Sequence, residues 1–125
     1  PATMDPRSTA EAVAEHLKKH VPWGAHIKVE ILEANRGFET DPEKPAATLL
    51  GECLAEAYGT ETISQGMGGS IPLTVELQEK HPNAEIALFG VEDPKATIHS
   101  ANESVDPTEI EKIATAEAYF LQRFA

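Results

Sequence analysis

The sequence predicts a mixed α/β fold, with helices packed on sheet. Three observations predict it. Apolar residues recur at helical spacing in several stretches, residues 25–31 alternate cleanly, and residues 84–91 are almost continuously apolar. A helix beside a strand with one buried face is half of a small α+β layer. A strand covered on both faces belongs to a parallel or mixed sheet.

The first helix is expected from about Ser8, whose hydroxyl suits a cap and whose partner Glu11 completes a capping box. Ala10, Val13, Ala14 and Leu17 form its apolar stripe, and Lys18, Lys19 and His20 suit its negative end. Pro22 and Gly24 stop it. Ala25, Ile27, Val29 and Ile31 then alternate with His26, Lys28 and Glu30 as a one-faced strand. A loop rich in Gly, Pro and charge runs to Glu43. Pro45 opens a second helix with a broad apolar face of Leu49, Leu50, Cys53, Leu54, Ala57 and Tyr58, and Gly59 suits its C-terminal cap. A short strand is expected near Glu61–Ser64. A third helix starts near Ser70 and Pro72 and runs to about Lys80, and His81, Pro82 and Asn83 make a turn. The apolar run 84–91 follows, then a long polar loop from Glu92 to Val105. The last helix opens on Asp106, Pro107 and Glu109 as cap, first-turn proline and capping-box carboxylate. Its buried face is expected at Ile110, Ile113, Ala114, Phe120 and Leu121.

Composition narrows the function classes. The chain has 125 residues, of which 41% are hydrophobic and 25% charged, an ordinary globular balance. Its net charge of −11 argues against nucleic acid, which needs clustered Lys and Arg. It argues equally against an anionic membrane surface. One cysteine, Cys53, excludes an internal disulfide and an all-cysteine metal site, so a reducing, cytoplasmic setting is expected. Residues 1–42 carry five basic and seven acidic side chains, whereas 43–125 carry five and fourteen. That asymmetry and the loop place a unit boundary near residue 42.

Two stretches can carry chemistry. Gly68 and Gly69 permit close approach of the backbone to a ligand, and the helix start beyond them offers N–H groups to a carboxylate, with Ser70 adding a hydroxyl. On residue types alone a plain strand-to-helix turn is the stronger reading. The second stretch, Ile98-His99-Ser100-Ala101-Asn102-Glu103, lies in the long loop after the apolar run, where ligands of open α/β sheets bind. His99 is a candidate metal ligand or general base, set against a loop histidine hydrogen-bonded to Asn102 or Glu103. His16 and His20, four apart on the first helix, have the spacing of a metal clamp, although Lys18 and Lys19 favour a solvated face there.

Gly68-Gly69-Ser70-Ile71-Pro72, followed about thirty residues later by His99-Ser100-Ala101-Asn102-Glu103, resembles the C-terminal part of the di-zinc metallopeptidases of peptidase family M-twenty. That group holds carnosinase-type dipeptidases, aminoacylases and acetylornithine deacetylase. The lead Val91-Glu92-Asp93-Pro94 resembles the dipeptidase branch, and residues 21–29 resemble the end of the family's inserted lid domain, so the resemblance covers nearly the whole chain.

The resemblance implies that residues 1–42 are the helix-strand end of a lid and dimerisation domain. Residues 43–125 would be the C-terminal αβα part of a catalytic domain that holds two zinc ions in the full-length enzyme. It implies that His99 is a zinc ligand, that Asn102 and Glu103 stand behind it to orient its ring or fix its loop, and that Gly68, Gly69 and Ser70 line a pocket for a small peptide or N-acyl amino acid. The chemistry implied is cleavage of a peptide or N-acyl amide bond by metal-activated water in a homodimer. The general base and the other ligand motifs of the family do not occur in these 125 residues, and one histidine cannot hold two zinc ions. The expectation is therefore a C-terminal part, inactive alone, with no catalytic residue of its own. Gln65, Gly66 and Met67 stand where members often carry Arg or Glu before the glycine pair, so substrate preference does not carry over. The alternative from another class is a stand-alone acidic interaction module without metal.

Overall fold

The computed structural model of the protein describes residues 2–66, 71–91 and 93–125. Among them are α1 (Pro6–Lys19), α2 (Pro45–Tyr58), α3 (Pro72–Lys80) and α4 (Pro107–Phe124), with a single 3₁₀ turn at Pro22–Gly24. Each α-helix opens on a proline. The N–H that proline lacks has no intrahelical partner at that position, so nothing is lost. Asp5 caps α1: its carboxylate accepts from the Ser8 N–H at 2.8 Å. Ser8, expected as the cap, is thus already inside the helix. The Ser8 bonds hold the Asp5 carboxyl below the usual carboxylate range. α2 ends on Gly59 in the left-handed region (φ 69°, ψ 23°), where a residue without Cβ fits. Asp106 caps α4 by accepting from the Thr108 N–H at 2.9 Å.

The expected mixed α/β fold does not form. Of the described residues 49% are helical, and none lies in a strand. Neither the helix-strand layer expected over 1–42 nor the αβα layer expected over 43–125 is present among the described residues. Residues 25–33 belong to no helix or strand; Val29 and Ile31 are half-buried beside exposed Lys28 and Glu30, whereas Ala25 and Ile27 are exposed, so the alternation survives as a difference in burial only in its second half. What is missing is a second backbone alongside. Among the described residues, no backbone hydrogen bond joins 26–40 or 85–91 to another extended segment. A strand is defined by that ladder as much as by its side-chain pattern. The run 84–91 departs further: apart from half-buried Ile86 it is exposed, with Leu88 58% exposed, so it is not covered on both faces. The weak strand near 61–64 is also absent, and Ile63 is 79% exposed.

The chain divides into two compact units. The first comprises the described parts of 1–39 and 67–84, the second those of 40–66 and 85–125. In the first, α3 is tied to residues 36–39 by Arg36, whose guanidinium lies 3.0 Å from Glu79, and by Gln78, whose amide donates to the Glu39 carbonyl at 3.1 Å. Ala14 on α1 and Thr74 on α3 are its buried side chains among those described.

In the second unit α2 packs on α4. Cys53 and Ala116 are fully buried, one on each helix, and their small side chains suit close approach. The α4 face that meets α2 runs through Glu109, Ile113, Ala116 and Phe120, in steps of three and four. Expected Ile110, Ala114 and Leu121 point elsewhere, and Leu121 is 68% exposed. Polar contacts fix this rotation. The Tyr58 hydroxyl donates to Glu109 at 2.8 Å, and Arg123 lies 2.5 Å from Glu56 and 3.9 Å from the Cys53 sulfur. Glu109 is therefore not the capping-box partner expected for Asp106. Burial, then the bond to Glu109 and its charge, push the Tyr58 phenol up to about 12.

Candidate functional site

The loop between 93 and 106 is built on one carboxylate. Asp93 accepts from the Lys95 N–H through Oδ1 at 2.7 Å and from the Asp106 N–H through Oδ2 at 3.3 Å. Its carbonyl accepts from the Ala96 N–H at 3.0 Å, and the Ala96 carbonyl in turn accepts from the Ser104 N–H at 3.0 Å. These bonds close the loop on itself and join it to the cap of α4. Ala96, 4% exposed, is its buried foot.

Above that foot the backbone is unusual. Thr97 (φ 51°), His99 (φ 58°) and Asn102 (φ 62°) are all left-handed without being glycine. Such a conformation costs about 1–3 kcal/mol for each residue and persists where the surroundings impose it. The Ser100 N–H donates to the Thr97 carbonyl at 3.0 Å, and the Thr97 hydroxyl donates to the Asn102 carbonyl at 3.1 Å. This arrangement presents His99 at the solvent-exposed crest of the loop.

His99, Asn102 and Glu103 thus share one loop. Asn102 holds it through its main-chain carbonyl, not its side chain. Among the described residues, no hydrogen bond joins the His99 ring to Asn102 or Glu103, and Glu103 is exposed. Gly68, Gly69 and Ser70 lie outside the described residues. Beyond them the first described residue, Ile71, precedes α3, and its carbonyl accepts from the Thr74 N–H and hydroxyl. Among the described residues, no three His, Cys, Asp or Glu side chains gather as a metal would require. His99 can contribute one ligand. It does not make a zinc centre by itself.

Two carboxylates with structural roles, one in this loop and one at α2, were not foreseen. Asp93 had a local signal, an Asp before a proline at the mouth of a polar loop. Glu85 had none: its carboxylate accepts from the Ala46 and Ala47 N–H groups at 2.9 and 3.1 Å and caps α2 from 39 residues away in sequence. Lys44, which precedes Pro45, makes no side-chain cap bond. No helix among the described residues is long and apolar enough to cross a membrane.

Over 122 residues the chain is 52% identical to a cysteinylglycine-S-conjugate dipeptidase of Corynebacterium striatum. The match covers 97% of this chain, and the chain spans 27% of the length of that curated relative. No family model matches. No solved structure matches either. The resemblance to a metallopeptidase family with a dipeptidase branch, drawn chiefly from residues 68–72 and 98–103, is thus matched by similarity to a dipeptidase along almost the full chain.

Proposed function

We propose that this chain acts as the C-terminal part of a metal-dependent dipeptidase or amidohydrolase, to which it contributes one metal ligand and part of the substrate pocket. The observation that carries this is the loop of residues 93–106. Three non-glycine residues are held left-handed there, around the one histidine that the motif marks as a ligand. Backbone strain of that kind collects at functional sites. The 52% identity to a dipeptidase supports the reaction class.

In this assignment residues 1–42 belong to a lid and residues 43–125 to a catalytic domain. Zinc is the metal, and neutral imidazole suits it. When bound it would supply an activated water. His99 holds one coordination position, Asp93 and Asn102 keep its loop in place, and Glu103 acts as an orienting group beside the metal in the assembled site. Gly68, Gly69 and Ser70 line the pocket near the substrate carboxylate. The remaining ligands and the general base come from other parts of a longer, homodimeric, cytoplasmic protein, and the 125 residues alone are inactive. The substrate is a small peptide or N-acyl amino acid, and a cysteinylglycine S-conjugate is the first to try.

The test is the His99→Ala change in the full-length protein. Bound zinc is measured by elemental analysis and hydrolysis with a cysteinylglycine S-conjugate. Losing a group that merely orients a ligand costs 10–100-fold, so kcat/KM is expected to fall by at least about a hundredfold, with zinc content reduced. Unchanged zinc and unchanged hydrolysis would overturn the assignment.

A further inference from the structure

The C-terminal end of α1 carries a pair of imidazoles. The rings of His16 and His20 lie 4.1 Å apart between centroids, 28° from parallel, and both residues are exposed. The His20 Nδ1 lies 2.8 Å from the His16 carbonyl oxygen. A carbonyl only accepts, so Nδ1 carries a proton, and Nε2 is the nitrogen that the neutral ring offers to a ligand. A ring N–H given to a backbone carbonyl is how ligand histidines are ordinarily oriented and held in one tautomer.

The surroundings also favour a cation. His16, Lys18 and Lys19 are in the last turn, and His20 is the C-terminal cap, where the helix carries partial negative charge. Of the two lysines in that turn, Lys18 is paired with Glu15 at 2.8 Å, and Lys19 is the positive charge a bound cation would have to tolerate. The whole chain carries −11. Metal–imidazole bonds are about 2.0–2.1 Å, so two nitrogens on one ion sit roughly 3–3.5 Å apart. A shared ion therefore requires the two exposed rings, 4.1 Å apart between centroids, to turn a nitrogen each toward it.

We propose that His16 and His20 form a two-point binding site for a borderline transition-metal cation of the copper(II), nickel(II) and zinc(II) class. The site is separate from the peptidase assignment and does not depend on it. Water completes the coordination, which makes the site exchangeable rather than structural. Imidazole nitrogen suits these ions, and affinity follows their general order, with copper(II) tightest.

The whole 125-residue chain is titrated with copper(II), nickel(II) and zinc(II) in turn by calorimetry. The imidazole signals are followed by NMR with zinc(II). The expected result is one site, with copper(II) bound at least about tenfold more tightly than zinc(II). The signals of His16 and His20 should move together. His16→Ala and His20→Ala should each weaken binding by at least about tenfold, since loss of even an orienting group costs that much. Both positions are exposed and helical or capping, so circular dichroism should show the helix intact. His99→Ala should leave this binding as it is. The proposal is overturned if either single variant binds within twofold of the parent chain, or if His99→Ala removes the binding. A failure of the peptidase assignment would leave these results untouched.

Discussion

Tyr58 and Glu109 show how a single hydroxyl sets the rotation of a helix. Glu109 stands three residues after a capping aspartate, the place of a reciprocal cap, yet it accepts from the Tyr58 hydroxyl of another helix. Lys112 closes the group, 3.3 Å from Glu109 and 4.9 Å above the Tyr58 ring. The neutral phenol is the favoured form here, which raises its ionisation from about 10 to about 12. The stability this provides is complete below the ordinary phenol value and is lost as pH climbs through the window between about 10 and 12. Ultraviolet titration of the phenolate should show an ionisation near 12 that Tyr58→Phe removes. Ionisation of Tyr58 near the ordinary value would refute the bond. At this scale His99 was legible, because a histidine in a particular run of residues carries a resemblance. Its left-handed backbone was not, since neither it nor Thr97 nor Asn102 is a glycine, the usual signal for φ above zero.

The helices were the legible elements, and their prolines made them so. Pro45, Pro72 and Pro107 mark first turns that the structure places where the sequence puts them. Asp5-Pro6 carries the same mark as Asp106-Pro107, and the weaker Ser8 signal hid it. Strands were not legible, for a physical reason. Alternation tells which side of an extended chain faces inward, but not whether a second chain lies beside it. Ile27, 45% exposed, and Leu88, 58% exposed, sit in runs with strand-like patterns and no ladder. The cap of α2 was illegible in the same way, because Glu85 reaches it from another part of the chain. Glu85→Ala is expected to cost about 1 kcal/mol, the usual value of a side-chain cap, felt at the Ala46 and Ala47 amides. Faster amide exchange there, with the end of α2 unaffected, is the signature. Unchanged exchange at both amides would mean that the cap contributes nothing.

At the scale of the whole molecule, charge dominates. Most ion pairs among the described residues are surface pairs such as Arg7–Glu11 and Arg36–Glu79, each contributing roughly 0–1 kcal/mol. Against them stands a net charge of −11, whose self-repulsion is broader. Raising ionic strength from about 0.01 M to about 0.15 M shortens the screening length from roughly 30 to 8 Å. The melting temperature should therefore rise by a few degrees, because repulsion is lost faster than pairing. A fall would show that the pairs outweigh the net charge. The acidic balance was plain from composition, and so was the asymmetry between its two stretches. The grouping of α3 with the first unit was not, since Arg36 and Gln78 make their ties across some forty positions of sequence. Asp93 has one last consequence, in the dynamics of the chain. Because one carboxylate holds both the Lys95 and the Asp106 amides, the loop that carries His99 cannot loosen without uncapping the approach to α4. Opening of either stretch therefore removes a bond that helps to hold the other. A disturbance at the first turn of α4 is then registered at His99, though the two never touch.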